Sequence, residues 1–292
     1  MIYKIVHRTT YKYKYPVSVG NHVACLKPRS LPHHRLSLSE LHILPTPATI
    51  TERVDYFGNT LYFFTVQEPH TELVVEARSE VIMENVATAS PHKAIPWEEA
   101  VRFLPEDRSP EGLEAYQFRF ESPRIPLRSD FAAYALQSFT HRRPLRESLL
   151  ALTERIHKDF RFDSGVTTVR TPTEDFFRKR KGVCQDFAHF QVACLRSLNL
   201  AARYVSGYLR TYPPPGQPRL VGADASHAWV SAYCPGTGWL DLDPTNNLIP
   251  SNGHVTLAWG RDYGDVSPLR GLILGGGVHA LTVAVDMEML ES

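Results

Sequence analysis

The sequence predicts an α+β protein: an antiparallel β domain first, then a core in which one buried helix packs on a mostly antiparallel sheet. Three observations predict it. Residues 1–85 fall into short runs of alternating polarity divided by prolines and by Gly58-Asn59. Residues 184–198 carry apolar side chains on nearly every side, the pattern of a helix covered all round. Residues 201–243 then read as strand, strand, turn and strand. At 292 residues the chain is also long for one compact core.

In order along the chain, Tyr3, Ile5 and His7 alternate with Lys4, Val6 and Arg8, as in a strand with one covered face. Further strands are expected at Leu38–Leu44, Thr51–Tyr56, Thr60–Gln67 and Leu73–Met83, forming a small sandwich or open barrel over residues 1–90. Prolines interrupt residues 91–128, a connection with one short helix expected over Trp97–Leu104. Residues 129–292 form the second unit. Its helices are expected at Ser129–Phe139, capped by Ser129 or Asp130, and at Pro144–Phe160, with Leu149, Leu152 and Ile156 on one face. After the buried helix come strands near 201–209, 227–233 and 238–243, and apolar runs near 253–258 and 278–286.

Composition narrows the function classes. A net charge of +1 supplies no electrostatic footprint for nucleic acid or an anionic membrane, so neither is expected as a partner. No stretch approaches the roughly 18 apolar residues of a membrane span, and the alternating N-terminus lacks the apolar segment of a secretory signal. A cytoplasmic location is the expectation. Cys25, Cys184, Cys194 and Cys234 show neither CxxC pairing nor metal-ligand spacing, and are expected as reduced thiols. His33-His34 has no third ligand spaced nearby, no calcium loop of the EF-hand kind is present, and Gly275-Gly276-Gly277 lacks the Lys-Ser/Thr of a phosphate loop. No cofactor or metal is expected.

The chemistry concentrates in three segments. Cys184 opens the buried helix, where unsatisfied N–H groups and the helix dipole favour a thiolate, and Gly182 just before it permits a tight turn and close approach of substrate. In 227–233, His227, Trp229, Ser231 and Tyr233 share one face of a strand, and in 239–243 Trp239, Asp241 and Asp243 share another. A turn centred on Gly236 pairs these antiparallel, with Trp229 opposite Asp243 and His227 one diagonal step away, while Asp241 faces Ser231. The register selects Asp243 to orient the imidazole. Singly, each residue has an ordinary structural explanation: an inert buried thiol, a packed histidine, a turn-capping aspartate. Together they form a nucleophile, a base and an orienting acid. Gln185, Asp224, Ser226 and Trp229 are candidates for the cleft lining, with Trp229 packing over the imidazole. Arg178-Lys179-Arg180-Lys181 reads as a solvated helix end, and His189 as a packed histidine.

The strings GVCQDFAHFQVACLRSLNLAARYVSGYL, ASHAWVSAY and GWLDLDPTNN resemble the core of the transglutaminase-like superfamily of papain-type thiol enzymes. Asp55-Tyr56-Phe57-Gly58-Asn59 and Pro69-His70 resemble the β-rich N-terminal domain of its bacterial members, a group described as cysteine proteases, and Gly260–Val266 with Pro268 resembles their C-terminal segment. The resemblance implies Cys184 as nucleophile, His227 as base and Asp243 as orienter, with chemistry at an amide or ester carbonyl of a peptide or protein substrate. Hydrolysis through a thioester is expected; transfer to an amine acceptor and peptide binding without turnover are the alternatives. The calcium dependence of animal transglutaminases is not implied.

Overall fold

The structure is a computed structural model and describes residues 1–84, 94–211 and 225–291. It opens on β1 (Ile2–Ala24), a strand of 23 residues, followed by β2 (His34–Leu44), β3 (Thr49–Val54), β4 (Thr60–Val66) and β5 (His70–Met83). Next come α1 (Trp97–Phe103), α2 (Pro110–Tyr116), α3 (Ser129–Leu136), α4 (Leu145–Asp159), β6 (Arg161–Phe162), α5 (Thr173–Lys179) and β7 (Lys181–Gly182). The remainder is α6 (Cys184–Ser197), β8 (Ala202–Leu209), β9 (Ala225–Cys234), β10 (Gly238–Leu242), β11 (His254–Gly260), α7 (Tyr263–Val266), β12 (Leu269–Gly275) and β13 (His279–Glu291). The class is α+β.

The N-terminal part is one seven-stranded antiparallel sheet rather than a sandwich or open barrel of its own. Its strand order is β2-β5-β1-β4-β3, with β12 and β13 also paired to β1. The first half of β1 lies between β5 and β13, and the second half between β4 and β12. The change of partner falls at Tyr15-Pro16, where proline cannot continue a ladder. Gly275, Gly276 and Gly277, with φ of 96°, 77° and 64°, make the matching turn between β12 and β13.

The C-terminal strands therefore complete the first sheet, whereas the sequence grouped them with the core. Their partner residues on β1 lie 245 to 289 positions away in the chain, and alternation reports a covered face without naming the neighbour that covers it.

The core sheet runs β10-β9-β8-β11, all antiparallel. α6 packs on β9 and β8, with Phe187, Phe190 and Leu195 fully buried. Its buried Arg196 is satisfied by carbonyls, donating to Ala202 O at 3.0 Å, Phe120 O at 3.1 Å and Arg261 O at 2.7 Å.

The resemblance motifs outside the core act as latches between the parts. Asp55 accepts from Phe57 N at 2.9 Å and Asn59 N at 2.7 Å, fixing the β3–β4 turn at Gly58, where φ is 77°. Asn59 then donates to Trp259 O at 2.8 Å and accepts from Trp259 N at 3.0 Å, which ties this turn to β11. In the C-terminal motif, Asp262 caps α7 through Gly264 N at 2.7 Å, and Tyr263 N–H donates to His189 Nε2 at 3.1 Å. His189 is buried, which drives its pKa down and keeps the ring neutral as an acceptor.

Candidate active site

Cys184 is half-buried at the first position of α6, where the helix's opening N–H groups have no carbonyl within the helix to meet. The turn before it is held by Asp186, whose Oδ2 accepts from Val183 N at 2.8 Å and from the Thr167 hydroxyl at 2.7 Å. Gly182 is extended rather than unusual in backbone, and its lack of a side chain serves packing. A Cβ there would lie 2.5 Å from Asp186 Oδ2 and 2.7 Å from the Phe176 ring. The upstream stretch Phe160–Asp163 runs parallel to β7. Its Arg161 and Asp163 N–H groups donate to Arg180 O at 2.9 Å and Gly182 O at 2.8 Å, so neither is spare for an oxyanion.

The β9–β10 ladder pairs Asp241 with Ser231 and Leu242 with Val230, so the next step brings Asp243 to the level of Trp229. His227 Nε2 lies 2.8 Å from Asp243 Oδ2, both residues buried. Asp241 instead accepts from Trp229 Nε1 at 3.2 Å. The other side of the imidazole meets the Cys184 thiol. Burial alone would lower the His227 pKa, but its hydrogen bonds to Asp243 and Cys184 outweigh burial and lift it to about 10. Asp243 is likewise opposed by burial and held well below the carboxylate range by donors from His227, His254 and Asn246.

Every contact on Asp243 is a donor. Thr245 N and Asn246 N reach Oδ1 at 3.0 and 3.1 Å, and Asn246 Nδ2 and His254 Nε2 reach Oδ2 at 2.8 and 3.2 Å, beside His227. His254 and Asn246 escaped the sequence reading. Asn246 sits in the quoted GWLDLDPTNN string, three residues past the aspartate, the spacing of a local turn contact. His254 has no local signal, because it arrives on β11 from across the sheet. Its ring stands edge-on to Trp229 at 5.3 Å, and the Trp229 ring itself fills the space left by Gly207. Trp229 is fully buried, with its ring centre 6.2 Å from that of His227.

Cys184 and His227 open into a cleft of about 320 Å³. Gln185 and Ser226 line it; Gln185 is buried and donates to Val169 O at 3.4 Å, while Ser226 is exposed. Asp224 lies outside the described residues. Across from the nucleophile the wall comes from the other sheet, through His7, Thr9 and Tyr11 of β1 and Leu281 and Val283 of β13.

One group among the described residues could hold a metal ion: His227, Asp243 and His254 offer ligand atoms within 4.8 Å of one another. Its carboxylate accepts from both imidazoles, while the buried Nδ1 of His254 has no hydrogen-bond partner among the described residues. The His33 and His34 rings stand edge to face at 4.7 Å and join no such group among the described residues.

The basic run before the nucleophile ends α5, where Arg178 pairs with Asp175 at 2.7 Å and the Arg180 guanidinium covers Phe160 at 4.5 Å. Among the described residues no helix is long and apolar enough to cross a membrane.

Comparisons with known proteins bear on the whole chain. Residues 3–82 match the bacterial transglutaminase-like N-terminal region, and residues 133–244 match the transglutaminase-like superfamily core. An uncharacterised protein of Mycobacterium tuberculosis is 38% identical over 301 residues, spanning 99% of this chain and 93% of the relative. A protein-glutamine gamma-glutamyltransferase of Pseudomonas aeruginosa is 29% identical over 140 residues, 45% of this chain and 21% of that protein. A crystal structure from Cytophaga hutchinsonii, described as a "putative cysteine protease", superposes with a TM-score of 0.77 at 24% identity, covering 100% of this chain and 91% of the other. That likeness establishes the shared fold. The chain belongs to the transglutaminase-like superfamily, among the members that carry the bacterial transglutaminase-like N-terminal region.

Proposed function

We propose that the protein is a thiol-dependent hydrolase of peptide or isopeptide-like amides, with Cys184 as nucleophile, His227 as acid and base, and Asp243 as the carboxylate that orients it. The observation that carries this reading is the buried His227 imidazole hydrogen-bonded on one side to Asp243 and on the other to the Cys184 thiol. An imidazole held this basic takes the thiol proton and keeps it on the ring, facing the cleft.

The Cys184 sulfur attacks the carbonyl carbon of the amide, and the oxyanion forms beside the N-terminus of α6, where the Cys184 N–H is the natural donor. His227 passes its proton to the leaving nitrogen, the C–N bond breaks, and an amine departs from a thioester. Water then enters; His227 accepts its proton as the hydroxyl adds to the thioester carbon. Collapse releases a carboxylic acid and returns the Cys184 sulfur. Asp243 stays ionised throughout and fixes the ring by accepting from Nε2.

Transfer to an amine is the second reading, favoured by the likeness to the Pseudomonas aeruginosa protein-glutamine gamma-glutamyltransferase. Both readings share every step as far as the thioester. Hydrolysis is preferred because water needs no acceptor groove.

Iodoacetamide labelling tests the nucleophile. Burial pushes the Cys25 and Cys234 thiols up to about 12, and Cys194 is driven up as well. Cys184 should therefore take label first at about neutral pH, and Cys184→Ala should abolish turnover in a screen of peptide amides and esters. Equal labelling of all four cysteines would overturn the reading. Decay of a trapped acyl-enzyme, followed with and without a primary amine, separates the acceptors: a faster decay with an amide product selects transfer.

A further inference from the structure

The inner face of the N-terminal sheet runs along the odd-numbered residues of β1 and β13. Its core end is closed: Tyr3, Ile5, Val285 and Met287 are buried. The register pairs His7 with Val285, Thr9 with Val283 and Tyr11 with Leu281, so the same face continues toward the cleft. There its cover ends. Val283 and Leu281 are 47% and 53% exposed, although they belong to the side of the sheet that is otherwise packed. This uncovered apolar end lies across the cleft from Cys184.

Apart from the Cys184–His227 pair, the remainder of the lining is uncharged. No Asp, Glu, Lys or Arg side chain lines the cleft among the described residues, and Tyr204, Tyr263 and Leu269 add to its apolar surface. His7 is neutral: burial lowers its pKa to about 4, and its ring nitrogens lie 3.1 Å from the Tyr208 hydroxyl and 3.2 Å from the Thr9 hydroxyl. A charged group packed on this far wall, away from the Cys184–His227 pair, would lose water and meet no counter-ion there.

We propose that this wall selects the acyl side of the substrate: an uncharged, apolar side chain packs on Tyr11, Leu281 and Val283 while the carbonyl beside it meets Cys184. The proposal rests on Cys184 being the nucleophile and assigns the N-terminal sheet, with the C-terminal strand it recruits, a direct role in substrate choice. Occupancy covers the two half-exposed aliphatic side chains, which supplies binding energy from the far wall.

The test uses the full chain and needs no natural substrate. Peptidyl chloromethyl ketones carrying Leu, Glu or Lys next to the reactive carbon are compared by their rates of Cys184 modification, read by mass spectrometry. Each rate is divided by the same protein's rate with iodoacetamide. The Leu reagent is expected to lead the Glu and Lys reagents by about a hundredfold. Leu281→Glu should cut the Leu rate by about tenfold and raise the Lys rate, and Leu281→Thr should cut the Leu rate without favouring either charge. Three reagents reacting within a factor of about three, with iodoacetamide still selective for Cys184, would overturn the proposal and leave the nucleophile standing. An unchanged ranking in both variants would also overturn it. Iodoacetamide labelling all four cysteines alike would remove the nucleophile, and this proposal with it.

Discussion

Asp243→Asn is a more severe change than its size suggests, because both oxygens of Asp243 face only donors. An asparagine must turn its NH2 either toward the Thr245 and Asn246 N–H groups or toward His227, His254 and the Asn246 amide. The first orientation spares the imidazole and leaves two backbone donors unsatisfied, at about 1–3 kcal/mol each. The second orphans the imidazole. Either way a loss of roughly 3–4 kcal/mol in unfolding free energy is expected.

The charge is a separate matter. His227 is held at about 10 against an ordinary 6.5, a preference worth roughly 5 kcal/mol at about 1.4 kcal/mol per pH unit, and Asp243 supplies the leading favourable part.

The pH window follows from the signs. His227 binds its proton more tightly in the folded protein, so its stabilisation is complete below about 6.5 and drains away as pH rises through about 10. Asp243 works in the opposite sense: its contribution is present above the ordinary 3.8 and is lost as pH falls toward its depressed value. The gap between wild type and Asp243→Asn should therefore be widest at about pH 5–6 and narrow toward about pH 10. Urea unfolding followed by tryptophan fluorescence reads the gap, and imidazole nitrogen shifts read the His227 proton directly. A variant whose His227 stays protonated at about pH 9, or whose stability lies within about 1 kcal/mol of wild type, would refute the reasoning.

Three further changes probe the surroundings. His254→Ala removes one donor from the Asp243 carboxylate and should lower kcat on an activated ester by about tenfold with KM little changed, while His254→Gln, which keeps an N–H donor, should recover most of it. Gly207→Ala would place a Cβ 2.3 Å from Val255 O and 2.4 Å from Trp229; unfolding should show a loss of about 2–4 kcal/mol. Asp186→Ala strips the Val183 N–H and the Thr167 hydroxyl of their acceptor, which should cost about 2 kcal/mol and slow alkylation of Cys184, measured by denaturant titration and labelling kinetics.

Much of this fold is set by short-range pattern in the chain. The strands at Thr60–Val66 and Ala202–Leu209 and the helices at Leu145–Asp159 and Cys184–Ser197 fall within a few residues of where their periods place them, whereas the cap expected from Ser129 or Asp130 is not made: α3 starts at Ser129 after Arg128, with no side-chain cap. The β9–β10 hairpin was readable because a short turn fixes which residues face each other, and that step separates Asp243 from Asp241. Non-local choices were not readable. β12, with the sequence Leu-Arg-Gly-Leu-Ile-Leu-Gly, shows no clean alternation and becomes a strand because β1 offers it an edge. His254 reaches Asp243 only because β11 flanks β8. Gly182 looked like a backbone device and is a packing one, since the carboxylate that fills its space belongs to a side chain four residues on.

The superfamily core match ends at residue 244, yet much of what surrounds the sulfur lies beyond it or before it. His254, Tyr263, Leu269, Leu281 and Val283 follow the match; His7, Thr9 and Tyr11 precede it. These parts are held at a fixed spacing by two latches, Asn59 onto Trp259 and Tyr263 onto His189. The second latch starts from the nucleophile's own helix, so the position of Tyr263 in the cleft is set by the element that carries Cys184. The first fixes the N-terminal sheet against β11, the strand that brings His254 to Asp243. A shift of the N-terminal sheet would then move the far wall of the cleft and strain the network behind His227 together. The N-terminal sheet therefore walls the cleft opposite Cys184 and is tied to the core sheet through the paired Asn59–Trp259 hydrogen bonds.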